Sequence, residues 1–321
     1  MLSNIEKIQH LTKLIGFAIL VFLYGCGGDA DGVTIDFSKT VQVPKAELRV
    51  PGEGQLRVAV GAMISPKETF IYYQQLLDYI SRMVGLKGQL IQRKTYGEIN
   101  EIFGKGQIDL AFVCSGPYAT GKERYGFELL ATPQIQGSPF YRSYLIVNKD
   151  STFHEFKDLR NRIFAFTDPE SNTGRLVPTY WLRQLGETPE SFFSKTIYTY
   201  SHDNSILAVA RSLVDGACVD GLIWEYYSDR DPSLTSRTRV IKKSEDYGIP
   251  PLVVSKTLSP TLKLRIRQLV LSMHLNSEGR DILKALMIDR FIEPREEWYA
   301  GIRRMVGGIK PNEEPYALSQ H

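Results

Sequence analysis

Ser171, Asn172, Thr173 and Gly174 stand in a row between a short apolar run and an amphipathic one, in "FAFTDPESNTGRLVPTYWL" (Phe164 to Leu182). That order places small polar residues where a strand ends and a helix begins. The first N–H groups of a helix lack partners, and its peptide dipoles sum to about half a positive charge at that end. An oxyanion meets both needs. Ser171 and Thr173 offer hydroxyl donors, Asn172 an amide, and Gly174 a backbone that can be approached without a Cβ. The same residue types also serve as plain helix caps, so composition leaves both readings open.

His202 follows the tyrosine-rich run "IYTYS" and precedes a helix starting near Asp203. This is the C-terminal end of a strand, where open parallel sheets bind ligands. Beside a bound oxyanion its charged form would be favoured, which makes it a pH-dependent donor.

The elements that must position these groups are legible as alternating patterns. "QLRVAVGAM" reads as a buried strand, and after Ser65-Pro66 the stretch "KETFIYYQQLLDYISRMVG" repeats its apolar residues at helical spacing until Gly85. Strand "GQLIQRK", helix "YGEINEIFGKG", strands "IDLAFVC" and "SYLIVNK", helix "EFKDLRN" and strand "RIFAFTD" follow. Helix "RLVPTYWLRQLG", strand "KTIYTY", helix "NSILAVARSLVDG" and strand "ACVDGLIW" continue the alternation, and "SPTLKLRIRQLVLSMHLNSEGRDILKALMI" reads as helical. Strands alternating with helices predict an α/β fold of mostly parallel sheets with helices on both faces.

At 321 residues the chain has room for about two domains. Its 43% hydrophobic and 23% charged residues are those of a globular protein. Net charge is +3 and no predicted helix carries a lysine-arginine stripe, so nucleic acid is not an expected partner. No heptad seam is visible, and a monomer is expected. The N-terminus carries Lys7, His10 and Lys13 ahead of an apolar run from Leu14 to Leu23, too short to span a bilayer and laid out as a secretory signal. Residues 26–54 are rich in glycine and polar residues and read as a tether, and 309–321 as a polar tail. Beyond Cys26, Cys114 and Cys218 lie in apolar segments, where thiols are mostly packing, so no disulfide is expected.

"LYGC", ending at Cys26, resembles a bacterial lipoprotein box, although Tyr24 departs from the small residue usual there. The resemblance implies cleavage after a signal peptide of residues 1–25, lipid attachment at Cys26, and an extracytoplasmic location. Three further segments occur in the order and spacing of a known family: "GSPFYRSYLIVNKDS", "DPESNTGRLVPTYW" and "SHDNSILAVARSLVDGA". Together they resemble the phosphonate, phosphite and phosphate binding proteins of ABC importers, from about Leu56 to Val306.

That resemblance implies a two-lobed, type II-like periplasmic binding protein with its ligand in the cleft. Lobe 1 is expected from 55–140 and 247–308, and lobe 2 from 141–246. It implies that Tyr96 and Tyr141 reach the ligand, with Ser171, Asn172, Thr173 and Gly174 forming the oxyanion cradle and His202 a further ligand residue. Asn172 stands where the family more often has a hydroxyl. Members that take aminoalkylphosphonates place acidic residues where this chain has Leu222 and Pro250, which points to a smaller oxyanion: phosphite, phosphate or methylphosphonate. Asp220, Glu225 and Asp246 lie close enough in sequence to substitute. Asp246-Tyr247 at the return crossing could accept from a protonated ligand oxygen, and Ser115 and Tyr118 are read as ending a strand at the cleft mouth. Arg142, Arg175 and Lys94 flank the site and could steer an anion.

The implied partner is a membrane permease to which the closed form delivers its oxyanion. A receptor serving a membrane sensor kinase is the alternative, and a secreted phosphoryl-transfer or hydrolytic enzyme a third reading. The enzyme reading is disfavoured, because no GxSxG, HExxH or GxxxxGK[ST] motif occurs. His10, His154, His202, His274 and His321 are too scattered for a recognisable metal set. Neither a metal nor a cofactor is therefore expected.

Overall fold

The computed structural model describes residues 54–61 and 66–307, without the side chains of 66–70. The signal segment, Cys26, all but the end of the tether and the polar tail lie outside the described residues. Two separate sheets organise the chain. The first, six-stranded, contains β1 (Gln55–Val60), β2 (Lys87–Ile91), β3 (Leu110–Phe112), β4 (Phe127–Gln134), β12 (Leu252–Ser255) and β13 (Arg290–Ile292), in the order β13-β4-β12-β3-β1-β2. The second, five-stranded, contains β6 (Ser143–Asn148), β7 (Ile163–Phe166), β8 (Lys195–Tyr198), β9 (Gly216–Asp220) and β10 (Thr238–Lys243), in the order β10-β6-β9-β7-β8. Between them β5 (Phe140–Tyr141) and β11 (Tyr247–Gly248) pair antiparallel, Tyr141 opposite Tyr247, where the chain crosses from one lobe to the other and back.

The sheets are mixed, not mostly parallel. β1 runs parallel to β2 and β3, while β12 runs antiparallel to β3 and β4. In the second sheet β7 is parallel to β8 and β9, and β6 is antiparallel to β9 and β10. The antiparallel strands are the ones flanking the crossings, where a chain returning from the other lobe can enter without a crossover helix.

Helices cover these sheets because their apolar stripes match. In α1 (Pro66–Val84), Leu76, Leu77, Ile80 and Val84 are buried against β1 and β3 residues such as Val58 and Leu110. α2 (Tyr96–Gly104) starts with a capping box, Thr95 accepting from Glu98 N–H and Glu98 returning to Thr95 N–H. α3 (Ser115–Tyr125) was not expected, since "SGPYATGKERY" has little apolar periodicity; tertiary packing of Tyr118 and Tyr125 holds it. α4 (Val177–Gln184) and α5 (His202–Ala210, capped by Ser201) follow as expected.

α6 (Gly221–Arg230) replaces the expected continuation of strand "ACVDGLIW". Asp220 ends β9 and its carboxylate accepts the Leu222 N–H at 2.8 Å, which turns the chain into a helix. The long C-terminal helical stretch is broken into α7 (Pro260–Ser272) and α8 (Ser277–Ala285), because Asn276 caps the second piece through Gly279 N–H. α9 (Ala300–Gly307) returns to pack on α3.

One core cluster joins the two lobes, running from Ile99 and Val113 through Tyr141 and Tyr247 to Phe166 and Trp181. A second, around Leu76 and Val254, and a third, around Ile146 and Val219, lie on the other faces of the first and second sheets. The strand ends that carry the polar residues therefore face one another across a packed boundary.

Candidate functional site: a polar turn facing two tyrosines

The segment after β7 opens with a tight, wide-rung turn before α4. Leu176 N–H reaches back five residues to the Ser171 carbonyl at 2.9 Å, and Val177 N–H likewise to Asn172. Such π-type turns inside helices mark places where the backbone is shaped for a site. Ser171 Oγ accepts Gly174 N–H at 2.9 Å, which leaves its own hydroxyl hydrogen free to be donated. Asn172 N–H has the Cys114 sulfur at 3.5 Å, a weak acceptor. Ser143 Oγ donates to the Thr173 carbonyl at 2.8 Å and anchors the turn to β6. Ser171, Asn172 and Thr173 are all buried.

Gly174 is required for packing. A Cβ there would meet Thr167 Oγ1 at 2.3 Å, so the expected close approach is to β7's end and not to a ligand. Gly116 in α3 is constrained likewise: a Cβ would stand 2.8 Å from the Glu170 carbonyl, across the lobe boundary.

Two polar side-chain atoms at this boundary find no protein partner although they are buried: Tyr96 Oη and Asn172 Oδ1. Tyr96 is 2% exposed. Asn172 Nδ2 donates to Tyr141 Oη at 3.2 Å. Turning the amide over keeps that bond, with the phenol donating, and presents the NH₂ instead of the carbonyl. Burial raises the hydroxyl pKa of both tyrosines, Cys114 thiol and Asp220 adding to the effect, so each keeps its proton to donate.

His202 is placed at the head of α5, 2% exposed, beside this turn's supports. Its Nδ1 accepts the Asp220 N–H at 3.0 Å and lies 3.3 Å from Thr167 Oγ1. Burial pushes its pKa down to about 3. Burial alone thus makes the ring neutral, and with Nδ1 accepting, Nε2 carries the proton; the charged form was expected only beside a bound oxyanion.

The lobes are tied to each other by residues that the sequence reading passed over. Asp168 Oδ2 accepts the Tyr96 N–H at 3.1 Å, the first amide of α2, and Oδ1 accepts Glu170 N–H. Asn100 Nδ2 donates to Glu170 Oε2. Burial raises Asp168 to about 6 and Glu170 to about 7, against the opposing pull of these hydrogen bonds. Both carboxylates sat in the quoted "DPESNT", where they look like ordinary turn residues.

Other expectations are not met. Tyr118 does not face the cleft: it is fully buried, its hydroxyl donates to Glu296, and its ring packs edge-on to Tyr299 with centroids 4.6 Å apart. Ser115 Oγ donates to the Gly248 carbonyl at 2.6 Å and secures the crossing. Tyr247 points its hydroxyl at the Met305 sulfur, and Asp246, half exposed, pairs with Arg142 at 2.6 Å. This pair therefore does not form the expected carboxylate contact. Glu225 accepts from Tyr144 Oη. Arg175 donates to Tyr198 Oη and Lys94 lies over the Tyr200 ring. Asp220, Leu222 and Pro250 line one cavity, together with residues of both lobes.

The polar turn offers hydroxyl, amide and phenol donors around a helix start, while the cations that flank it in sequence engage Asp246 (Arg142), Tyr198 (Arg175) and the Tyr200 ring (Lys94). Among the described residues no cluster of three or more histidine, cysteine, aspartate or glutamate side chains could hold a metal.

Comparison with known proteins identifies the fold and the family. A 28% identical relative over 215 residues is the phosphonates-binding periplasmic protein of Escherichia coli (strain K12), covering 65% of this chain and 63% of the relative. A 26% identical one over 202 residues is the phosphate-import protein PhnD of Mycolicibacterium smegmatis, covering 59% and 62%. The chain thus spans somewhat under two thirds of the length of the curated relatives it matches. Among solved structures, a binding protein component of an ABC phosphonate transporter from Pseudomonas aeruginosa superposes with a TM-score of 0.75 at 24% identity, over 79% of this chain and 85% of the other. PhnD1 of Prochlorococcus marinus in complex with methylphosphonate gives 0.72 at 19%, over 79% and 98%. These two show the shared fold. The family described as "ABC transporter, phosphonate, periplasmic substrate-binding protein" matches residues 58–299, and the chain belongs to that family.

Proposed function

We propose that the protein is the extracytoplasmic solute-binding component of an ABC importer, holding a small phosphorus oxyanion between its lobes and delivering it to a membrane permease. One observation carries the reading. The Tyr96 hydroxyl and the free end of the Asn172 amide, an NH₂ donor once the amide is turned over, are buried without protein partners at the lobe boundary. A buried polar group left unpaired costs about 1–3 kcal/mol, and a tetrahedral oxyanion is a ligand that can take a phenol, hydroxyls, an amide and helix-start N–H groups at once.

In this reading Tyr96, Tyr141, Ser171, Asn172, Thr173 and the Nε2–H of neutral His202 bind the ligand, and Gly174 shapes the turn. Lobe 1 comprises 55–140 and 247–308, lobe 2 comprises 141–246, and Cys26 carries a lipid that holds the protein at a membrane surface. No bond is made or broken. Relatives named for phosphonate, phosphate and phosphite binding support the ligand class. The test is calorimetric titration with phosphate, phosphite and methylphosphonate, sulfate serving as the non-phosphorus control. One-to-one saturable binding of a phosphorus oxyanion without product supports the reading, and turnover, or preference for sulfate, defeats it.

A further inference from the structure

Two carboxylates of the five-stranded lobe are held against the six-stranded one by neutral donors. Asp168, 1% exposed, accepts the Tyr96 N–H, and Glu170 accepts from the side chain of Asn100, itself 1% exposed. Both donors belong to α2. The backbones also come close at Glu170: a Cβ on Gly97 of α2 would stand 3.3 Å from its Oε1, and one on Gly116 of α3 would stand 2.8 Å from its carbonyl oxygen. The six-stranded lobe thus closes down on this one residue from two helices.

The groups that surround Glu170 do not neutralise it. From α2 it faces Glu101, from α3 Arg124 and Tyr125, and from its own segment Asp168. Arg124 is the one cation among these, and its guanidinium is paired with Glu101 at 2.6 Å. Asp168 in turn faces Glu98, Tyr96 and the Cys114 thiol. Burial is the chief cause that raises Glu170 from 4.5 to about 7; Asp168 and Glu101 add to it, while Asn100 and Arg124 pull the other way. A cavity of about 230 Å³ is lined by Glu170 with Thr120, Arg124 and Tyr125 of α3 and Val306 of α9, which leaves room for water beside the carboxyl.

We infer that this boundary is a proton-linked latch: as the lobes close on a ligand, Glu170 moves under the Asn100 amide and takes up a proton, so closure is favoured in mildly acidic surroundings and opposed in alkaline ones. This rests on the proposed interlobe site, whose residues are buried and can be reached only when the lobes part. Parting them lifts α2 off the 168–170 segment, and the carboxylate then regains water and titrates near its ordinary 4.5. A group whose pKa is higher in the closed form than in the open one binds its proton on closure. Its support for closure is whole below the open-form value and is lost as pH rises through about 7. The proton comes from solvent, and no bond between heavy atoms changes.

The experiment is calorimetric titration of the full chain and of Glu170→Gln with methylphosphonate from pH 5 to pH 8, in pairs of buffers that differ in ionisation enthalpy. Glutamine keeps an acceptor for Asn100 and stands for the protonated carboxyl. The ligand's own ionisation is common to both proteins and cancels in the ratio of their affinities. The variant should bind within a few-fold of the unaltered chain at pH 5 and about tenfold more tightly than it at pH 8. At pH 6 the unaltered chain should take up about one proton more than the variant on binding. A ratio that stays constant across the range, or equal proton uptake, overturns the latch and leaves the oxyanion site standing. Infrared difference spectra of the unaltered chain give a reading that needs no variant: methylphosphonate should bring up a protonated-carboxyl band at pH 6, and its absence defeats the latch. Failure of both proteins to bind methylphosphonate, phosphate and phosphite alike overturns the proposed function, and the latch with it.

Discussion

The backbone N–H of Asp220 donates to His202 Nδ1 across 3.0 Å, so the last residue of β9 fixes the tautomer of the first residue of α5. A histidine with its Nδ1 lone pair engaged and its ring buried has Nε2–H to give and no means of becoming a cation cheaply. Under the proposed function, this residue would meet an oxyanion with a dipole in place of a fixed charge.

This fixes how His202 should titrate. Its pKa is lowered from 6.5 to about 3, so the folded ring stays neutral where the unfolded one gains a proton. Between those values the unfolded state binds more protons, and this group's contribution to stability is present above pH 6.5 and shrinks as pH falls towards 3. NMR of the ring nitrogens should show a neutral Nε2–H tautomer throughout pH 5 to 8. A midpoint inside that range would contradict the geometry.

Glu170 has the opposite sign. Its pKa is raised from 4.5 to about 7, chiefly by burial, so the folded state holds the extra proton in that window and stability declines as pH rises through it. Glu170→Gln keeps an acceptor for Asn100 and removes the buried charge. It should raise thermal stability at pH 8 by an amount of order 1–3 kcal/mol and leave it unchanged at pH 4, as thermal melts at the two pH values would register.

Tyr96→Phe separates binding from folding. The hydroxyl has no protein partner, so its removal should leave the ligand-free protein as stable or slightly more stable. Affinity for methylphosphonate should fall by about tenfold or more, the worth of one hydrogen bond to a charged group. Titration calorimetry beside a melting curve distinguishes this from a structural tyrosine, whose loss would lower both.

Replacing Ser171 and Thr173 together by alanine removes two hydroxyls from the helix start. Capping is worth about 1 kcal/mol per residue, so the fold should persist. Oxyanion affinity should drop by about a hundredfold or more, and unchanged affinity would place the ligand elsewhere.

Gly174→Ala should act through the fold. Its Cβ would lie 2.3 Å from Thr167 Oγ1 and 2.5 Å from Thr167 Cβ, atoms held on the end of β7. A loss of about 1–3 kcal/mol from overpacking is expected, and an unperturbed melting temperature would show that the turn can relax.

Much of this architecture was legible from pattern alone. Apolar spacing gave α1 through Leu76, Leu77 and Ile80, and the small polar row marked the turn at Ser171. The sequence could not show that Ser115–Tyr125 is helical, because that helix lacks an apolar stripe and depends on Tyr118 meeting Tyr299 across 181 residues of chain order, a contact no local pattern announces. Nor could it show that His202 is neutral: a lone histidine carries no local mark of burial, and its partner is a backbone amide 18 positions away. Asp168 and Glu170 were hidden for a related reason. Each is a common turn residue whose partner, Tyr96 N–H or Asn100, belongs to the other lobe.

Tyr141 belongs both to the crossing ladder, opposite Tyr247, and to the polar turn, through Asn172. A bond made by a residue of the pivot itself has almost no lever arm, whereas the ties from Tyr96 and Asn100 to Asp168 and Glu170 lie off that axis. If the halves part about that ladder, the outer fastenings should break before the inner one, and under the proposed function a departing solute would lose its hold at Tyr141 last.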